Sequence, residues 1–336
     1  MTAADMRRAT FLIASFLMLT GALLLQPTVY VSSQPYLAEY VVAEYGLHTL
    51  SKISSAGIRT IVYTFAGDTW PRNVAIDSDG NFVVTELLAD ALSKVTPAGR
   101  RTVIHAFSRG TIPDGVAVDS AGNYIVTESG INLLSRITPN GDRTIVHAFS
   151  GWTWASSVAI DSAGDYIVAE SGADILSRIT PSGVRTVIYR FEGGTWPLGL
   201  VIDSEGNYVV TEYSANLLSK ITSKGVRTLI HRFAAGTWPA GIAIDSDGNY
   251  IVTEHLVNLL SKIAPAGVRT VIHRFADGTL PVGLVIIRTQ AQTTPADLFL
   301  TAQKIGALAP YLALIVVGAA SVVIAVRSIR RQERSS

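Results

Sequence analysis

Apolar residues along this chain come in short runs, and the same order of runs keeps returning. The stretch from Gly241 shows the order. Gly241-Ile242-Ala243-Ile244 (run A) is followed by Tyr250-Ile251-Val252-Thr253 (run B), Leu259-Leu260-Ser261-Lys262-Ile263 (run C) and Thr270-Val271-Ile272-His273-Arg274-Phe275 (run D). Asp245-Ser246-Asp247-Gly248-Asn249 separates A from B, and Pro265-Ala266-Gly267 separates C from D. Asp and Asn fold their side chains onto turn amides, and Gly supplies the positive φ. No run has the length or period of a helix, so each reads as a strand. Run A is apolar on both sides, which predicts an inner strand between neighbours. Run D alternates, which predicts an outer edge strand.

The phrase IDSDGN at Ile76 and Ile244 recurs as VDSAGN at Val118, IDSAGD at Ile160 and IDSEGN at Ile202. Glu44, Glu86, Glu128, Glu170, Glu212 and Glu254 fall in step, 42 residues apart. A unit that cannot bury its own faces must stack on copies of itself, and four strands in about 40 residues make a propeller blade. The first copy lacks run A and begins at run B, Glu39–Glu44. The last supplies a lone run A, Val282–Ile286. Joined, they complete a sixth blade and remove the open edges of the ring. The expected fold is all-β: a six-bladed β-propeller of four-stranded blades over residues 36–287, closed by N- and C-terminal strands, with one or two terminal transmembrane helices.

Those helices come from the chain ends. Ala9 to Ala38 is uncharged and follows Arg7 and Arg8. Residues 1–35 therefore read as a signal peptide or an N-terminal membrane anchor, and the sequence leaves both open. Ile305 to Val326 holds 22 uncharged residues, enough to cross an apolar layer of about 30 Å. Arg327, Arg330, Arg331 and Arg334 follow, and such a flank stays cytoplasmic. The expected order is a polar stalk at 288–304, a transmembrane helix at 305–326 and a basic cytoplasmic tail at 327–336, with the propeller on the extracytoplasmic side. Charged residues are only 16% of the chain and the net charge is +1, which gives no general attraction to nucleic acid. The partners expected are the membrane and an extracellular glycan, peptide or protein ligand. With no Cys, disulfides, thiolate nucleophiles and Cys-ligated zinc are excluded.

The repeated text P-x-G-I-A-I-D-x-x-G-N-Y-x-V-T-E, followed by N-x-L-S-K-I, resembles NHL-type propeller repeats. It also resembles the repeats of streptogramin B (virginiamycin B) lyases, with gluconolactonase-like propellers as more distant relatives. The resemblance covers the repeats and neither terminus. It implies a six-bladed ring, used either for binding or for chemistry around a divalent ion held by acidic groups near the channel mouth.

The A–B and C–D turns hardly vary between copies, whereas the B–C loops and D–A turns, on the opposite face, do. Function on a symmetric scaffold needs broken symmetry, so the site is expected on the varied face. Candidate ligand contacts are Trp70, Trp154, Trp196 and Trp238 in the D–A turns, with Asp90, Asn132, Asp174, Asn216, Asn258 and Tyr213 in the B–C loops. The competing reading makes each indole a cap on a blade junction. His255 occurs in one copy only and follows Glu254, so it is the candidate general base. Glu254, Glu212 and Glu44 are candidate metal ligands, and their oxygens would suit Mg²⁺ or Ca²⁺. Alternatively, each Glu pairs with a repeated cation such as Lys94, Lys220 or Lys262, or accepts loop amides. The Arg of G-x-R-T, from Arg59 to Arg269, reads as edge protection and ion pairing. His105, His147, His231 and His273 share one slot with Tyr63 and Tyr189 and read as packing. Nucleotide-binding, nucleophile-elbow and zinc-protease motifs are absent. Two functions follow: a membrane-anchored extracytoplasmic propeller binding a ligand or partner through its variable face, or a divalent-metal-dependent lyase or lactone hydrolase.

Overall fold

The computed structural model describes residues 36–290. The expected segments 1–35, 305–326 and 327–336, and most of the stalk at 288–304, lie outside the described residues. Among the described residues no helix is long and apolar enough to cross a membrane.

Six separate four-stranded antiparallel sheets form the blades. Blade 2 sets the pattern, with strand A at Pro71–Ile76, B at Phe82–Glu86, C at Ala91–Val95 and D at Arg101–Ala106. Blade 1 is composite, as the phase of the repeat predicts. Its inner strand A is Pro281–Gln290, and B, C and D are Tyr36–Glu44, Thr49–Ser54 and Arg59–Thr64. Strand A begins two residues earlier than the apolar run suggests, at Pro239 instead of Gly241 in blade 6. Proline fits there because the first residue of a strand needs no ladder N–H.

The most enclosed strand is B, buried along its whole length in blades 2 to 6. Strand A is the inner strand of each blade, as expected, and in blades 3 to 5 its last two residues are only half-buried because they border the central channel. Strand D alternates as expected. The core lies between blades. Ile125 and Leu134 of blade 3, for example, pack against Val158, Val168 and Ile179 of blade 4.

Side chains also tie the inner strands together. Thr211 Oγ1 accepts the Gly199 N–H at 2.8 Å and donates to the Ala240 carbonyl of the next blade at 2.7 Å. Gly199 permits this approach, since a Cβ there would lie 2.1 Å from the Ala240 oxygen. Farther out, Nδ1 of His105, His147, His231 and His273 meets the carbonyl of Gly141, Gly183, Gly267 and Gly57 in the next blade at 2.7–2.9 Å. This repeated slot packs, as its recurrence predicts.

On the A–B side the channel is a cavity of about 510 Å³, lined by aliphatic residues including Ile76, Ile160, Ile202, Ile244 and Ile286. Toward the B–C side it narrows to about 20 Å³ between Arg72, Asp114, Ser156, Leu198, Ala240 and Val282. Strand B of blade 1 starts, and strand A of blade 1 ends, on the A–B side. The chain therefore enters and leaves the propeller on the face opposite the varied loops.

Candidate functional site

Each D–A turn carries one non-glycine residue in the left-handed region: Trp70, Ile112, Trp154, Trp196, Trp238 and Leu280, with φ from 42° to 53°. For bulky side chains that conformation costs about 1–3 kcal/mol and persists only where its surroundings enforce it. The enforcement comes from the B–C loop of the preceding blade, whose own left-handed residue is His48, Asp90, Asn132, Asp174, Asn216 or Asn258. Asp174 accepts the Trp196 N–H and the Gly194 N–H, both at 2.7 Å. Asp90 does the same for Ile112 and Gly110, both at 2.8 Å. Asn216 and Asn258 accept the Trp238 and Leu280 amides, both at 2.9 Å, and Asn132 reaches those of Thr153 and Trp154 at 3.3 Å. The side-chain oxygens of Asp90, Asn132, Asp174, Asn216 and Asn258, expected as ligand contacts, brace the turns. Those turns present Trp70, Trp154 and Trp196 half-buried and Trp238 exposed.

The glutamates also have partners. Glu254 is buried, and Arg269 grips it through Nε at 2.6 Å and Nη2 at 2.7 Å. Arg59 holds Glu44 in the same bidentate way, and Arg227 binds Glu212 Oε1 at 2.6–2.7 Å. Ser51 adds a hydroxyl to Glu44. The guanidinium comes from outer strand D, so each carboxylate turns toward the rim and away from the channel. The expected lysines pair elsewhere: Lys94, Lys220 and Lys262 bind Asp77, Asp203 and Asp245 of the A–B turns at 2.8–3.0 Å. Arginine fills the glutamate position because its planar fork matches a carboxylate. Among the described residues no group of three or more His, Asp and Glu could hold a metal ion. Glu44, Glu212 and Glu254 do not form a cradle for Mg²⁺ or Ca²⁺, because each is committed within its own blade.

Symmetry breaks in two rings of positions around the axis. The residue after each glutamate is Tyr45, Leu87, Ser129, Ser171, Tyr213 or His255. The second residue of strand A is Arg72, Asp114, Ser156, Leu198, Ala240 or Val282. On one side of the mouth Arg72 Nε donates to Asp114 Oδ1 at 2.8 Å, and Asp114 also takes hydrogen bonds from Ser129 and the Trp154 indole. Ser156 and Ser171 continue that polar side, their hydroxyls 2.6 Å apart. On the other side the His255 ring lies between Tyr45 and Tyr213, with centroids 6.1 and 5.9 Å away. Trp70 stacks against Tyr45 at 4.7 Å and Trp238 against Tyr213 at 4.9 Å. Both tyrosines pack on the core that includes Leu198, Ala240 and Val282.

His255 is buried, not in an exposed loop. Its Nδ1 faces the Pro281 carbonyl at 3.4 Å. A carbonyl only accepts, so Nδ1 carries the proton and Nε2 is bare. Burial, with the Arg72 charge second, pushes its pKa down to about 4. Burial, helped by Tyr45, pushes Tyr213 up to about 12, and burial raises Tyr45 as well. At neutral pH the imidazole is uncharged and both phenols keep their protons. A histidine with a depressed pKa binds a proton less readily folded than unfolded, so its stabilising share is full above the unfolded value near 6.5 and falls toward the folded value. Between pH 6.5 and 4 the propeller should lose about 3 kcal/mol through this residue. Urea titrations of His255→Gln should show a flatter dependence across that window, and parallel curves for the two proteins would refute the assignment.

Arg72, Asp114 and Tyr45 were not singled out as site residues from the sequence. The signal for Arg72 and Asp114 was present in the strand A slot after each D–A turn, where aligned copies read Arg, Asp, Ser, Leu, Ala and Val, and that for Tyr45 in the slot after each glutamate, which reads Tyr, Leu, Ser, Ser, Tyr and His.

Comparison with solved structures places this geometry. Virginiamycin B lyase from Staphylococcus aureus matches with a TM-score of 0.60 at 19% identity, covering 76% of this chain and 89% of that one. A streptogramin B lyase matches with a TM-score of 0.61 at 15% identity, covering 76% and 94%. This chain shares their fold. A nidogen/laminin complex matches too, with a TM-score of 0.66 at 14% identity, covering 76% of this chain and 100% of that one. No protein-family model and no curated protein matches the sequence. The resemblance read from the repeats thus holds as a likeness of fold, and what this propeller does rests on its own residues.

Proposed function

We propose that this chain is a membrane-anchored, extracytoplasmic propeller that binds a ligand through the mouth formed by its B–C loops and D–A turns. The observation that carries the reading is where asymmetry is confined. The A–B and C–D turns repeat almost residue for residue, whereas the mouth sets Arg72 and Asp114 on one side and Tyr45, Tyr213 and His255 on the other. Aromatic walls with a few convergent polar groups are the usual make-up of a ligand site. Strand B of blade 1 starts, and its strand A ends, on the A–B side, opposite the mouth. The nidogen/laminin neighbour is an assembly of two proteins, which is in keeping with a binding role. The lyase or lactonase reading requires a divalent ion, and the ring carboxylates do not supply its ligands.

The chain has no native cysteine, so a single Ser214→Cys in an exposed B–C loop can be labelled specifically. A membrane-impermeant maleimide should label it on intact cells; labelling only after lysis would refute the orientation. A panel of glycans and peptides should yield a binder of the full chain in detergent, with affinity falling at least about tenfold in Trp238→Ala. Binding unaffected by both Trp238→Ala and Tyr213→Ala, or no binder at all, would sink the proposal.

A further inference from the structure

We infer that the mouth binds the carboxylate of a small ring-bearing ligand, with Arg72 gripping the carboxylate and the Tyr45/Trp70 and Tyr213/Trp238 pairs holding the ring. The inference rests on the binding role proposed above and specifies its chemistry.

Arg72 is the only basic residue in its slot around the ring. A guanidinium offers five N–H donors in a fixed fork. Asp114 engages Nε at 2.8 Å, while Nη1 and Nη2 meet no acceptor among the described residues and are not sealed from solvent. The Tyr45 and Tyr213 hydroxyls likewise have no protein partner among the described residues and are not sealed. An arginine enclosed for structural reasons alone would saturate its fork on carbonyls, because unpaired polar groups in enclosed sites are costly. The Arg72 fork is therefore only partly used, and a charge-assisted fork to an oxyanion is the strongest way to use the rest.

Two features select a carboxylate over phosphate. Asp114 already balances the Arg72 charge, so a dianion would meet an uncompensated like charge nearby. The two free Nη groups also match the two oxygens of one carboxylate in a planar fork. The ring follows from the walls: two aromatic pairs stand on either side of His255, over an apolar patch of Leu198, Ala240 and Val282. Only about 20 Å³ is open at the level of strand A. The carboxylate therefore sits above Arg72 at the mouth, and the ring lies among the aromatics.

The test uses the full chain in detergent micelles, with tryptophan fluorescence and NMR titration as readouts. The probes are benzoate, its neutral counterpart benzamide, and inorganic phosphate. Benzoate should bind in the millimolar range, about what so few atoms can supply, and benzamide about tenfold more weakly or not at all. Arg72→Lys keeps the charge facing Asp114 but loses the fork, and should weaken benzoate at least about tenfold. Tyr213→Phe and Tyr45→Phe should each weaken it about three- to tenfold; these two carry the test if Arg72→Lys fails to fold. Equal binding of benzoate and benzamide overturns the inference while leaving a ring-binding face in place. Phosphate that competes as well as benzoate overturns the choice of carboxylate. If no probe perturbs the mouth, the inference fails, and the glycan and peptide panel decides the broader binding role separately.

Discussion

A chain that stops at Leu280 should fail to fold, whereas one that stops at Gln290 should keep a cooperative melting transition. The ten residues between them are strand A of the composite blade. Val282 and Leu284 are buried to 3% and 5% exposure, and each contributes about 1.5–3 kcal/mol by burial. Val285, Ile286 and Ile287 pack partly against the same cores. Loss of the strand also strips the ladder from Tyr36–Glu44 and opens the ring on both sides of the gap. Together these exceed about 5 kcal/mol, the lower end of the stability of ordinary domains. Circular dichroism melts and gel filtration of the two forms decide the matter. An unchanged midpoint for the shorter chain would show that the ring does not depend on its composite blade.

Replacing Arg143 by Ala should destabilise the propeller by about 4 kcal/mol, because Glu128 would remain buried with its charge uncompensated. Glu128 is fully buried, and Arg143 holds both its oxygens at 2.6 and 2.7 Å. The control is Lys262→Ala. It removes an ion pair of similar length, 3.0 Å, whose lysine keeps a third of its surface in water, and exposed pairs contribute about 0–1 kcal/mol. Urea denaturation should show a large midpoint shift for the first variant and a small one for the second, with the slope unchanged. Equal shifts would mean that the buried pairs do not hold the blades. Replacing both Glu128 and Arg143 by Leu should recover much of the loss, since apolar substitutes avoid the desolvation of two charges.

What the sequence disclosed was local. Turn residues ended each strand, spacing gave the blade, and the offset between the two ends gave the number of blades and the way they close. The face that carries the asymmetry was legible because B–C loops and D–A turns differ between copies, and Trp238, Tyr213 and His255 lie on it. The glutamates read either as metal ligands or as paired with a repeated cation. The lysines named for that pairing were the wrong cations, because the arginine partners lie 15 residues later on strand D, brought into range by a C–D pairing that slips by one residue at a bulge in every blade. The loop Asp and Asn residues look like ligand donors in one dimension. Only the left-handed backbone at the residue after each D–A threonine shows which amides they must satisfy. The Arg72–Asp114 contact joins residues 42 apart in adjacent blades, and no local pattern marks it.

The composite blade also bears on the gene. All the internal units are interchangeable in phase, and the two half-units that meet in the clasp lie at the ends of the coding segment. Unequal recombination between two internal copies therefore inserts or deletes one or more whole blades in frame and leaves both half-units intact. Ring size can change in a single genetic step, while a mouth residue written in an internal copy, such as His255, is gained or lost with the blade that carries it.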